Sequence, residues 1–188
     1  MSSATIRAAI AAKISTVPDI GKVHAFERYT TRQNDFRELY TTGGKLLGWF
    51  VQWKGAEERP RATDHNTEIL RWEITGLMAL EDGEQSEIAF GSLIDQLRTA
   101  FRNDETLGGA VETIEVDNRF GLQVDGIEPV MFSGVLCHRA RLSLVTESTV
   151  DFADPEDVKD FVTGNTKWDL APPDEAIDEE DTVTLETE

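Results

Sequence analysis

Ile69-Leu70-Arg71-Trp72-Glu73-Ile74-Thr75-Gly76-Leu77-Met78-Ala79-Leu80 is the stretch on which the fold turns. Successive side chains of an extended chain point to opposite faces, so Leu70, Trp72, Ile74, Gly76 and Met78 fall on one side. Arg71, Glu73 and Thr75 fall on the other. This two-residue period predicts a strand with one face in a core. Gly134 to Thr146 repeats it, with Leu136, His138, Ala140, Leu142 and Leu144 on one face and Arg139, Arg141 and Ser143 on the reverse. Leu46 to Trp53 is dense in aromatic and aliphatic residues, as a strand buried over much of both faces would be. Between it and the first strand, Gly55 to Asn66 reads as a polar loop holding Arg59-Pro60-Arg61.

Two helices are predicted around these strands. Ala4 to Val17 places Ile6, Ile10, Ile14 and Val17 on one helical face, with Ser2 or Ser3 as N-cap and Pro18 as the stop. Ser86 to Asn103 carries Phe90, Leu93, Ile94, Leu97, Ala100 and Phe101 at spacings of three and four. Lys22 to Phe26 alternates like a short strand, and Thr31 to Tyr40 can form a short helix ended by Gly43-Gly44. Val111 to Phe132 predicts two short, poorly patterned strands around Gly121 and Gly126. The order predicts an α+β fold, a mostly antiparallel sheet flanked by two main helices, over residues 1–149. An acidic C-terminal arm, 150–188, follows.

Charge narrows the function. Of 188 residues, 18 are basic and 36 acidic, a net charge of −18 that repels phosphate backbones and anionic lipids. A nucleic-acid binder is disfavoured. No apolar run is long enough to span a bilayer and no signal-peptide pattern opens the chain, so neither membrane insertion nor export is expected. Cys137 is the single cysteine, which leaves no intramolecular disulfide.

Candidate chemistry is thin. Cys137 beside His138 suggests a nucleophile and its base, but neighbours on a strand project to opposite faces and cannot hydrogen-bond to each other. His24 and His65 sit in separate segments without metal-ligand spacing. Gly43-Gly44-Lys45 lacks the earlier glycine and the following Ser or Thr of a P-loop. Asp157-Val158-Lys159 echoes a nuclease element but lies in the acidic arm beside Pro155, where it reads as a helix start. No catalytic residue, cofactor or metal is expected.

The arm holds 14 Asp or Glu against Lys159 and Lys167 over residues 151–188. Phe152, Val158, Phe161, Val162 and Trp168 interrupt those charges. The helical spacing of Val158, Phe161 and Val162 predicts a short amphipathic helix, so residues 152–170 are expected to form an ordered strap. Residues 174–188, with Asp178-Glu179-Glu180-Asp181, are expected to stay solvated and mobile until a partner orders them. The candidate protein-interface residues are Arg59 and Arg61 in the polar loop and Phe152, Phe161 and Trp168 in the arm.

Several phrases, taken in order, carry a resemblance: Ile6-Arg7-Ala8-Ala9-Ile10 leading to Pro18-Asp19-Ile20-Gly21-Lys22-Val23-His24, Gly48-Trp49, Arg71-Trp72-Glu73-Ile74, Ala100-Phe101-Arg102, Leu107-Gly108-Gly109, and Phe132-Ser133-Gly134-Val135-Leu136-Cys137-His138. Over about residues 4–147 the chain resembles the tail-terminator, or tail-completion, proteins of long-tailed bacteriophages, in a Mu-like prophage family. The resemblance implies a virion structural protein that forms a hexameric ring on the head-proximal end of the tail tube. There it would stop tube polymerisation and mediate head-tail joining, with the tail-tube protein and a head-tail connector or neck protein as partners. Genomic DNA would pass through without specific binding. Two other readings remain open at this stage, a head-side connector or neck protein and an acidic DNA mimic. A mimic would spread its acids over the folded surface, whereas here the arm holds most of the excess.

Overall fold

The computed structural model describes residues 2–28, 37–60, 65–81, 83, 85–151, 163–168 and 179–184. The chain divides into two compact units, Met1–Asp151 and Phe152–Glu188. The first is α+β. Its opening helix, α1 (Ser3–Ile14), is capped by the Ser2 hydroxyl, which accepts from the Thr5 N–H at 3.3 Å. Ile6, Ile10 and Ile14 are buried along one side. The long helix α2 (Ser86–Arg102) buries Phe90, Leu93, Ile94, Leu97 and Phe101.

The main sheet is built from β1 (Lys22–His24), β2 (Thr41–Thr42), β3 (Lys45–Pro60), β4 (His65–Ala79), β7 (Gln123–Phe132) and β8 (Val135–Asp151). Its order is β1-β3-β4-β8-β7, with β2 also on β3. All pairings are antiparallel except β1 with β3. A separate two-residue hairpin joins β5 (Glu115–Val116) to β6 (Arg119–Phe120). Its turn residues Asp117 and Asn118 both have positive φ, 52° and 62°, as a tight hairpin turn requires.

Both helices pack on one face of the sheet, over Trp49, Val51, Leu70, Trp72, Ile74, Ala140, Leu142 and Leu144. The Trp49 indole Nε1 donates to the Ile20 carbonyl at 2.9 Å, tying the loop after α1 to β3. The opposite face carries a smaller cluster of Tyr40, Leu46, Phe50, Leu77 and Cys137. Tyr40 sits over Gly48, where a Cβ would come within 2.8 Å of its ring.

Two expectations are corrected. The span Gly55 to Asn66, expected as a loop, is strand at both ends, because β3 runs on to Pro60 and β4 begins at His65, paired as far as Pro60 opposite Asn66. A bulge between Trp53 and Gly55 bends the ribbon there, and beyond it side chains of both faces meet water, so polarity marks exposure and not loss of the ladder. Around Gly121 and Gly126, the chain forms the small β5–β6 hairpin and one long strand, β7, whose alternation is broken by a bulge between Val124 and Gly126. In the second unit, β9 (Thr163–Trp168) pairs antiparallel with β10 (Glu179–Thr184). Its register sets Glu180 opposite Lys167, and the Thr182-Val183-Thr184 run has the β-branched residues that favour strands. The helix expected at Val158, Phe161 and Val162 lies outside the described residues, as does most of the one expected over Thr31–Tyr40, of which residues 37–39 are helical.

Candidate functional site

The outer end of the β3–β4 hairpin holds an ionic cluster. β3 places Glu57 and Arg59 two residues apart on one face, and register brings Arg71 of β4 beside them opposite Gly55. The Arg59 guanidinium binds both carboxylate oxygens of Asp117, at 2.8 and 2.9 Å. Its Nε donates to Glu57 Oε1 at 2.8 Å, and Arg71 Nη2 donates to Glu57 Oε2 at 2.6 Å. The two-bond fork fits the planar geometry of Arg with carboxylate. The hydrogen bonds from Arg59 hold the Asp117 carboxyl below its usual range, and those from Arg59 and Arg71 do the same for Glu57. The Arg59 guanidinium is held protonated more firmly than usual, chiefly by Asp117 and then Glu57.

Of the residues singled out by sequence, the structure therefore brings Arg59 together with Glu57, Arg71 and Asp117. Its charge fastens the β5–β6 turn to the hairpin. Arg61, Phe152 and Phe161 lie outside the described residues. Trp168 is the last residue of β9, in register with Glu179.

Cys137 and His138 go to opposite faces of β8. Cys137 is buried in the Tyr40 cluster, where loss of solvent pushes its thiol up to about 11. His138 stacks on Phe90 and pairs with the Ser86 hydroxyl at 3.0 Å, while that hydroxyl accepts the Glu81 N–H at 2.9 Å. Sequence reading missed this Ser86–His138 pair, since the two residues lie 52 apart. Both are buried, and Ser86 begins α2, which has no side-chain cap of its own, so the pair closes the helix start over β8.

Sequence reading also missed an exposed apolar row on the edge strand β7. Among the described residues, no group of three or more His, Cys, Asp or Glu is placed to hold a metal ion, and no helix is long and apolar enough to cross a membrane. No protein-family model matches the chain, and no curated protein matches it.

Proposed function

We propose that this chain is a phage-tail structural protein, a ring that caps the head-proximal end of the tail tube, stops tube polymerisation and joins tail to head. The observation that carries the reading is the ordered set of phrases from Ile6 to His138, all of which fall within one α+β unit. Ile6-Arg7-Ala8-Ala9-Ile10 is a turn of α1 whose Ile6 and Ile10 are buried, Arg71-Trp72-Glu73-Ile74 the centre of β4, and Val135-Leu136-Cys137-His138 the start of β8. A net charge of −18 suits a ring through which DNA slides, because a basic lining would retain phosphates. The ring is a hexamer by analogy with the tube, with cyclic symmetry closing the assembly. Its work is mechanical, not catalytic, and its place is the virion, assembled in the host cytoplasm.

The test is capture of the tail-tube protein by the purified full chain, with native mass measured in the presence of tube ends. A closed oligomer bound to tube ends is expected. Capture of a neck protein but not of tube protein would reassign the chain to the head side. A chain that neither oligomerises nor binds tubes would end the reading.

A further inference from the structure

β7 is the last strand of the main sheet, and among the described residues no strand pairs with its outer side. The turn that joins it to β8 fixes which of its backbone groups face that side. Ser133 and Gly134 form this two-residue turn, both with positive φ, 49° and 78°. A turn of this length closes on a pair that exchanges both backbone bonds, here Phe132 with Val135. Bonded pairs then recur at every second residue, so Val130 with Cys137 and Glu128 with Arg139 also bond across the hairpin. The Leu136 carbonyl has the phase this requires, since it turns away from β7 and accepts the Leu80 N–H at 2.9 Å. Ile127, Pro129 and Met131 therefore aim their backbone groups outward, and position 129 has no N–H to offer.

The rest of this stretch favours strand addition. Ile127, Pro129 and Met131 share one face without a charge among them, and Ile127 and Met131 are 48% and 68% exposed. Glu128 lies on the other face, bound by Arg139. The bulge between Val124 and Gly126 interrupts the strand only near its start, which leaves 126–132 as an unbroken ladder. An edge of this kind is a template for another chain unless a proline, a charge or a bulge blocks it.

We propose that Pro129 blocks edge-to-edge pairing of β7 with the β7 of a second copy of this chain. Antiparallel pairing about a two-fold axis at position 129 would set Ile127 of one copy opposite Met131 of the other, and 129 opposite 129. The central pair would exchange two bonds, and both of its donors are missing. The prolyl rings would also meet where the two strands must approach to about 4.8 Å. The block lets an apolar row stand open on an edge strand without becoming a seam for self-assembly. It is independent of the ring reading, since it concerns a backbone contact and not the surface that meets a tube.

Pro129→Ala in the full chain tests it. Alanine regains the N–H while removing apolar surface, so any gain in association comes from the backbone. No bond to β8 is lost, because position 129 makes none. Native mass over a concentration series should show self-association strengthened by roughly tenfold or more, the effect of two regained backbone bonds. Pro129→Thr, with a strand-favouring side chain, should do the same. Hydrogen exchange locates the contact. In the wild-type chain the Ile127 and Met131 amides should exchange freely while those of Glu128 and Val130 are protected, and in the variants the first two should gain protection as concentration rises. Mass and exchange unchanged from wild type in both variants overturn the proposal. So does stronger association that leaves the Ile127 and Met131 amides unprotected, since the copies would then meet elsewhere. Protection of those two amides in the dilute wild-type chain also overturns it, since the edge would then be paired despite the proline.

Discussion

The Trp49 indole fills the space that a side chain at position 76 would need. A Cβ built on Gly76 would lie 2.3 Å from Cζ3 of that ring. The two residues are register partners on adjacent strands, so neither backbone can withdraw without breaking the ladder.

Gly76→Ala should therefore destabilise the domain by roughly 1–3 kcal/mol, the usual cost of overpacking a filled core. A lower urea midpoint with an unchanged slope is the expected result. An unchanged midpoint would mean that the indole moves aside without loss, despite its bond to the Ile20 carbonyl.

The Cys137 thiol, pushed up to about 11 by burial, should react slowly in the native protein. At pH 8 its thiolate fraction falls about a hundredfold below that of a free cysteine, before any steric shielding. Modification by a disulfide reagent with and without denaturant measures the ratio. Cys137→Ser should cost packing in the Tyr40 cluster and leave assembly intact. Lost assembly in a folded Cys137→Ser variant would return the thiol to the functional site.

The sequence was legible where one face of an element is buried and the other wet. Ile6, Ile10 and Ile14 of α1, Phe90 to Phe101 of α2 and the alternation of β8 have that character, while β4 shows it only around Arg71 and Glu73, since Ile69, Thr75 and Leu77 bury its reverse face on either side. It was illegible where neither face is buried, as in the outer half of β3, whose Glu57 and Arg59 alternate with the exposed Ala56, Glu58 and Pro60. It also failed in β7, where the apolar side is itself exposed and a bulge shifts the period. Interactions between distant segments left no local trace. Arg59 and Asp117 lie 58 residues apart, and neither their pairing nor the place of Tyr40 over Gly48 follows from spacing.

Acid should loosen the outer ribbon before the core. The carboxyls of Glu57, Asp117 and Glu128 titrate below their usual values because Arg59, Arg71 and Arg139 bind their ionised forms. Groups with depressed folded values stabilise the fold above their unfolded values, near 4, and lose that contribution as pH falls through the folded ones. Stability is thus flat in this respect from pH 7 to 5 and declines below about 4, less steeply in high salt because the pairs are exposed. Hydrogen exchange at residues 55–60 and 115–120 should rise ahead of exchange in β4's centre. Simultaneous loss of protection in both would make the ribbon and the core one cooperative unit.

Charge reversal at the hairpin tests whether this end of the sheet meets the tube. Arg59→Glu would set a third carboxylate between Glu57 and Asp117 and release the β5–β6 turn, while Arg61→Glu removes the neighbouring cation. Arg59 is exposed, and none of the large buried side chains depends on it, so thermal unfolding of the main unit should change little. Tube capture by the double variant should fall by roughly tenfold or more through repulsion and loss of hairpin order. Asp117→Asn separates the two causes, since it weakens the fork but keeps both arginines. Capture that falls with Asp117→Asn as far as with the reversal would make Arg59 a positioning residue for the turn. Capture retained in Asp117→Asn but lost in the reversal would mean that the arginines meet the partner directly. Full capture by the double variant removes this end of the hairpin from the tube interface.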